Sequence, residues 1–362
     1  MSDTLRFTGG RFKVMQIADT QENVRVSRDT VRLIDGALER ERPDLVVFTG
    51  DQIKGYNPFF WGRRRKEKIS RTLSKILQPL VEREIPFAVT FGNHDRQVGL
   101  SGAEQMLLYE AFPGCLARAG EVLEPGTQAL PVLGRDGEPA LLIYLIDSGG
   151  EVKGGGYEAV PQKTLDWYRK VRDRYELPGL VFQHIPIPEY YHLLQRVKRK
   201  KSGAVEAYRT HKHEFYRLDP AKVRPGGFMG EAPSVPDVNS GEGDALTEKG
   251  EILGLYCGHD HKNSFVGSWR GMDLGYAQSA GFNEYGPGVE RAVRLFEIRE
   301  TGGYETWTTS YQEVAGRRTS RPLKDFVLTN MPATREAGYR LIARSALAFL
   351  AVLAIAGIIW LF

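Results

Sequence analysis

The feature that most constrains the fold is a regular alternation of short apolar runs and amphipathic stretches between residues 11 and 185. The apolar runs are short and continuous, which is typical of strands buried on both faces. The stretches between them carry apolar residues at helical spacing, as at Val31, Ile34 and Leu38. Alternating segments of these two kinds predict an α/β fold. The predicted strands are 11–18, 45–49, 87–91, 141–146 and 180–183, and the predicted helices cover 27–40, 66–84 and 165–175.

The second half of the chain is organised differently. Residues 189–250 are polar and basic, with the run KRKK at 198–201, and we interpret them as an insertion. Short strand patterns follow at tight spacing, as in an antiparallel sheet. They cover 252–257, 264–268, 273–277 and 293–298, with 301–311 as a further candidate strand.

The C-terminus has a composition of its own. The chain has 49 Lys and Arg and 45 Asp and Glu, but residues 345–362 contain none of them. Eighteen helical residues would be about 27 Å long, close to the thickness of a bilayer's hydrocarbon core. We therefore expect a single transmembrane helix over 341–362, with a buried core helix as the alternative. Three arginines before it, Arg335, Arg340 and Arg344, predict a membrane-anchored protein whose catalytic domain is cytoplasmic.

The bulk composition excludes several classes of protein. A hydrophobic fraction of 41% and a charged fraction of 26% are ordinary for a folded domain. Two cysteines, Cys115 and Cys257, provide no disulfide framework. The net charge of +4 is too small to indicate a nucleic-acid partner, and we expect no specific one.

Polar residues able to bind metal follow the predicted strands. In an open α/β sheet, the carboxyl ends of the strands form the edge where ligands bind. A single Asp after a strand is usually a turn former, but five strand ends with such residues favour a shared site. The residues are Asp19, Asp51, Asn93, His94, Asp95, His184, His259 and His261.

These residues lie in blocks that resemble the motifs of calcineurin-like metallophosphoesterases. The blocks are IADTQ (17–21), FTGDQ (48–52), FGNHD (91–95), QHIP (183–186) and CGHDH (257–261). They follow the family order D-x-H, G-D, G-N-H-D/E, H and G-H-x-H, with Gln21 replacing the first His. Further blocks resemble the small purple-acid-phosphatase-like proteins of plants and fungi and their bacterial relatives: LIDSGG (145–150), HIPIPEY (184–190), VNSG (238–241) and FNEYGPGVERAVRL (282–295).

The resemblance implies a fold and a domain plan. It implies a four-layer α/β/β/α sandwich of two mixed sheets flanked by helices. We assign the metallophosphoesterase domain to 1–312, a basic linker to 313–340 and the transmembrane anchor to 341–362. Lys54 stands where purple enzymes have a Tyr, so a ferric-tyrosinate centre is not implied.

The resemblance also implies an activity. The protein would hydrolyse a phosphomonoester or phosphodiester through two divalent metal ions, Mn, Fe or Zn, and a bridging water or hydroxide. Asp51 would bridge the metals. Asp19, Gln21 and His261 would bind the first ion, and Asn93, His184 and His259 the second. His94 would contact the phosphate and protonate the leaving oxygen, oriented by Asp95.

Gln21 leaves three interpretations open, because an amide oxygen is a neutral and weaker metal ligand than imidazole. The centre is dinuclear with a weaker or more selective first metal, or mononuclear, or it is a degenerate site that only binds a phosphate ligand. A nuclease of the same fold is a further alternative, and its DNA binding would be salt-dependent.

Overall fold

The computed structural model describes residues 4–199, 201–333 and 338. The strands in this part of the chain are β1 Leu5–Arg6, β2 Arg11–Ile17, β3 Leu45–Thr49, β4 Phe87–Thr90, β5 Glu121–Glu124, β6 Thr127–Leu133, β7 Pro139–Ile146, β8 Gly179–Gln183, β9 Leu194–Val197, β10 Val205–Glu206, β11 Phe215–Leu218, β12 Phe228–Met229, β13 Ile252–Cys257, β14 Asn263–Ser264, β15 Val266–Trp269, β16 Met272–Tyr276, β17 Ala292–Arg299 and β18 Tyr304–Ser310. The helices are α1 Arg28–Glu41, α2 Arg65–Glu82, α3 Asn93–Arg96, α4 Gly102–Glu110, α5 Gln162–Tyr175, α6 Glu242–Thr247, α7 Tyr311–Ala315 and α8 Pro322–Asn330.

Two mixed sheets form the centre of the molecule. The smaller has the order β18-β17-β2-β3-β4, in which β2, β3 and β4 are parallel and β17 is antiparallel to β2. The larger has the order β1-β6-β7-β8-β13-β16-β15, and β5 pairs with β6. Strands β7, β8, β13 and β16 are parallel in it. The parallel strands at the centre of each sheet therefore present their carboxyl ends at one edge, as the sequence predicts.

Three hydrophobic cores define four layers. Side chains such as Val47 from the smaller sheet and Phe182 from the larger one pack between the two sheets. The outer face of the smaller sheet is covered by apolar side chains of α1 and α2, including Leu33 and Leu73. The outer face of the larger sheet is covered by α5 through residues such as Leu165. The predicted α/β/β/α sandwich of mixed sheets is consistent with this arrangement.

The strands after the insertion do not form the single antiparallel sheet that their spacing indicates. Strands β13 and β16 are parallel, whereas β17 and β18 pair with each other in the opposite sheet. The crossing is made by the segment 277–291, which leaves β16 and enters β17 beside β2. Within the insertion, β9, β10 and β11 form a small antiparallel sheet. Part of the segment interpreted as a basic linker is helical, in α7 and α8.

The predicted transmembrane helix is not supported and is corrected here. In the part of the chain that the structure describes, no helix is both long enough and apolar enough to cross a membrane. The segment on which the prediction depended, 341–362, lies outside the described residues. The predicted anchor, and with it the predicted location as a single-pass membrane protein with a cytoplasmic domain, is therefore not supported.

Candidate metal centre

Asp19 and Asp51 follow β2 and β3 directly, and both have an unusual backbone. Their φ angles are each 53°, in the left-handed region that few residues other than Gly adopt. This turn brings two buried carboxylates to the same sheet edge. The neighbouring glycines make room for them, because a Cβ at Gly92 would lie 2.2 Å from Asp51 Oδ1. Strained backbone of this kind is typical of functional sites.

His184 joins these two carboxylates from the other sheet, at the end of β8. Candidate ligand atoms of Asp19, Asp51 and His184 all lie within 4.8 Å of one another, and all three residues are buried. The His184 Nε2 atom is 3.3 Å from Asp51 Oδ2. Its Nδ1 atom lies 2.9 Å from the Thr49 carbonyl, which leaves Nε2 facing Asp51.

Asn93 and His259 converge on the same imidazole nitrogen. Asn93 Oδ1 lies 3.1 Å from His184 Nε2, and His259 Nδ1 lies 3.2 Å from it. Unprotonated imidazole nitrogen, amide oxygen and carboxylate oxygen are all ligands for divalent transition metals. The structure therefore brings together the three residues predicted for the second metal, beside Asp51.

Gln21 and His261 lie on the other side of the centre. His261 Nε2 is 3.4 Å from Asp19 Oδ1, and His261 Nδ1 is 2.8 Å from the Tyr285 carbonyl. The Gln21 amide nitrogen donates a 2.9 Å hydrogen bond to Asp51 Oδ2. Asp19 Oδ1 and Gln21 Oε1 are buried and accept no hydrogen bond from any described residue. Since unpaired buried oxygens are costly, these two atoms fit a bound metal ion.

The charges of these groups are strongly coupled. Burial would raise the pKa of Asp51, but the positive charges of His184 and His94 hold it well below its usual range. Burial alone would lower the pKa of His184, yet the charge and hydrogen bond of Asp51 raise it to about 10. In the same way, Asp19 raises the pKa of His261 to about 9 against the effect of burial. The carboxylates thus favour a cation at this edge, supplied here by imidazolium.

His94 lies partly exposed at the edge of the site. Its side chain is 25% exposed, and its Nε2 atom lies 4.0 Å from Asp51 Oδ2. Its Nδ1 atom is 2.8 Å from Gln97 Oε1, one helical turn further along the chain. The Tyr56 ring contacts the imidazole edge to face at 4.8 Å. The imidazole is therefore held at the mouth of the site with one nitrogen fixed.

Asp95, predicted to orient His94, has different partners. Its carboxylate accepts hydrogen bonds from the backbone amides of Gly92, Asp51 and Ile53 at 2.7–3.1 Å. Burial and the charge of Asp51 raise its pKa to about 7. Asp95 thereby connects the loop that carries Asp51 to the loop that carries Asn93. The residue that contacts the His94 imidazole is Gln97 instead.

Three further residues surround the centre, and of these only Tyr285 lies in a sequence block that the resemblance includes, 282–295. The Tyr157 ring contacts His259 at 4.4 Å between centroids. The Tyr285 ring stacks on His261 at 4.3 Å, and its hydroxyl donates a 2.9 Å hydrogen bond to Glu231. Glu231 comes from the insertion, where neither periodicity nor strand ends mark a functional residue. For Gln97, the sequence offers one signal: it lies three residues after His94, and residues at this spacing lie on the same face of a helix.

Comparison with known proteins agrees with this geometry. The family model of the calcineurin-like phosphoesterases matches residues 12–263. "Probable inactive purple acid phosphatase 14" of Arabidopsis thaliana is 27% identical over 351 residues, which cover 84% of this chain and 79% of that protein. "Phosphatase DCR2" of Saccharomyces cerevisiae is 25% identical over 338 residues, covering 82% of this chain and 53% of that protein. A dimetal phosphatase from Danio rerio has the same fold, with a TM-score of 0.50 at 17% identity, over 83% of this chain and 99% of its own.

The chain belongs to the calcineurin-like phosphoesterase family. The resemblance drawn from its motifs is confirmed, including the similarity to purple-acid-phosphatase-like proteins. Membership implies a phosphate-ester substrate and divalent metal ions as cofactors, and the candidate ligands Asp19, Asp51 and His184 are in place for them.

Proposed function

We propose that the protein is a metal-dependent phosphoesterase that hydrolyses a phosphomonoester or phosphodiester at a dinuclear centre, within a catalytic unit spanning 1–312. One observation carries the proposal. Two buried oxygens that accept no hydrogen bond from the described residues, Asp19 Oδ1 and Gln21 Oε1, lie next to the Asp51 carboxylate, which His184 also contacts. Leaving such buried oxygens without a partner costs free energy of folding. Two bound cations would remove that cost.

Each side chain then has a role that follows from its position. Asp51 would bridge two ions, Asp19, Gln21 and His261 would hold one, and Asn93, His184 and His259 would hold the other. When bound, two divalent metals clamp a phosphoryl group and activate the attacking water. Imidazole ligands favour Mn, Fe or Zn over Ca.

His94 would act on the substrate directly. Its imidazole is partly exposed, and Gln97 holds its Nδ1 atom so that Nε2 faces Asp51. From there Nε2 would bind a phosphate oxygen and donate a proton to the leaving oxygen. A general acid of this kind contributes about 10²–10⁴-fold.

The test is a metal-activated screen of the full chain against aryl phosphates and bis-aryl phosphates. We expect turnover with at least one of Mn, Fe, Co, Ni and Zn, and none for Asp51→Asn. Absence of turnover with every metal, in protein shown to contain metal, would refute the proposal.

A second candidate function is a phosphate-binding module with little or no hydrolysis. The observation in its favour is that the Gln21 amide donates to Asp51 Oδ2, where a His would instead offer nitrogen to a metal. The name of the Arabidopsis relative includes the word inactive. This candidate predicts phosphate binding without turnover, and Gln21→His would then create activity instead of improving it.

A further inference from the structure

A second group of buried oxygens lies beside the metal centre and forms no part of it. Gln183, the residue before His184, lines a small cavity of about 10 Å³ together with Glu242 and Asn239. That volume is about the size needed for one water molecule or one small ion. The cavity is enclosed by the loop that follows β8 and by the start of α6.

Glu242 lines this cavity, Glu189 lies next to it against α6, and neither carboxylate has a compensating charge. Glu189 is 6% exposed and Glu242 is 4% exposed, and neither forms an ion pair with a described Lys, Arg or His. The Glu189 Oε1 atom accepts a 2.7 Å hydrogen bond from the Asn239 amide. Its Oε2 atom and Glu242 Oε1 accept none from the described residues. Buried charges without partners are expensive, so something must neutralise this pair.

Gln183 gives an independent indication of the group that neutralises the two carboxylates. Its side chain is 1% exposed, and its amide nitrogen donates to the Ile185 carbonyl at 2.8 Å. Its Oε1 atom is buried and accepts no hydrogen bond from the described residues. The Gln183 side chain is also within hydrogen-bonding reach of Glu242, yet one oxygen of each of the three side chains still lacks a donor among the described residues.

We propose that Glu189, Glu242 and Gln183 bind a hard divalent cation, Ca²⁺ or Mg²⁺, at a third site distinct from the catalytic centre. The three free atoms are all oxygens, and two belong to carboxylates. Hard divalent cations take such oxygen ligands, and the set lacks the imidazole that a transition metal prefers.

The site would order the segment that carries His184. Gln183 immediately precedes His184, and Ile185 donates its backbone amide to Ser148 Oγ at 2.9 Å. Glu189 lies against α6, because a Cβ added to Gly243 would be 2.8 Å from its carboxyl carbon. A cation here would thus join the end of β8 to the insertion. The inference is independent of hydrolysis and stands if the proposed function fails.

The test uses the full chain carrying Asp51→Asn, so that binding at the catalytic centre is impaired. After chelation, the protein is dialysed against Ca²⁺ or Mg²⁺ and its cation content and melting temperature are measured. We expect one bound equivalent and a rise of about 3 °C or more at saturating cation. Adding Glu242→Gln should abolish both the binding and the rise.

The matched control is Glu41→Gln. Glu41 is also a buried carboxylate, but Thr309 donates to it and Arg40 lies 3.3 Å away. This substitution should leave cation binding unchanged. Equal loss in both variants would overturn the proposal, and so would failure of the Asp51→Asn protein to bind either cation.

Neutralisation by a proton is the competing outcome. Burial and the nearby charge of Glu189 raise the pKa of Glu242 from 4.5 to about 8. A protonated Glu242 would contribute stability that is complete below pH 4.5 and is lost as the pH rises through about 8. If the melting temperature falls over this range and added cation does not restore it, a proton occupies the cavity and the cation site is refuted.

Discussion

The molecule contains two buried acidic clusters that differ in their partners. Asp19 and Asp51 lie among imidazoles, whereas Glu189 and Glu242 lie beside the neutral amide side chains of Asn239 and Gln183. In the first cluster, protonated histidine can replace a cation and keep the carboxylates ionised. In the second, no described side chain can do so. The comparison teaches that the same residue type selects different cations according to its neighbours.

The largest effect that separates the two clusters is expected from Asp51→Asn. The substitution removes the shared carboxylate, so phosphoesterase activity and transition-metal binding should both be lost. Binding of Ca²⁺ or Mg²⁺ at the second cluster should persist. Activity assays and elemental analysis on one preparation check this, and loss of all cations together would mean that the clusters are not separate.

His94→Ala should have the next largest effect. Because His94 is exposed at the mouth and is not among the proposed ligands, kcat should fall by about 10²–10⁴-fold. The metal content should stay at the wild-type level. A variant that loses its metal along with its activity would show that His94 holds the centre together.

Tyr285→Ala tests the support of His261. The ring stacks on the imidazole, and its hydroxyl bonds to Glu231. Loss of such support typically costs about 10–100-fold in metal affinity, and competition with a chelator would measure it. Tyr285→Phe is the matched control, since it keeps the stacked ring and should lose less affinity than Tyr285→Ala.

Gln97→Ala should give the smallest effect. It removes the acceptor beside His94 Nδ1 and leaves every proposed ligand in place. We expect kcat to fall by about tenfold or less, with the basic limb of the kcat profile, which reports loss of the proton from the general acid, displaced along the pH axis. An unchanged pH profile would show that Gln97 does not position the imidazole.

Local patterns predicted much of the centre. Asp51 and His184 each follow a short apolar run, Asp19 follows the predicted strand 11–18, and short apolar runs are consistent with buried parallel strands. Parallel strands place their carboxyl ends at one edge of a sheet. The fold class therefore predicted that the side chains following these strands lie close together. The family motifs then assigned metal-binding roles to Asn93, His259 and His261, which the strand ends had already indicated as candidates.

Non-local pairing was harder to predict. Strand β17 has the same local pattern as β16 but pairs with β2 in the other sheet. Glu231 and Glu242 reach their sites from the insertion, which has no periodicity to mark them. The apolar composition of 341–362 indicated a membrane helix, yet no helix in the described ranges meets the length and hydropathy that spanning requires.

The central claim is that two metal ions lie on either side of Asp51. The most direct measurement is an anomalous difference map from crystals of the full chain grown with Mn²⁺. The account predicts two peaks, one beside Asp19, Gln21 and His261 and the other beside Asn93, His184 and His259. A single peak, or none next to Asp51 in crystals that contain Mn²⁺, would contradict it.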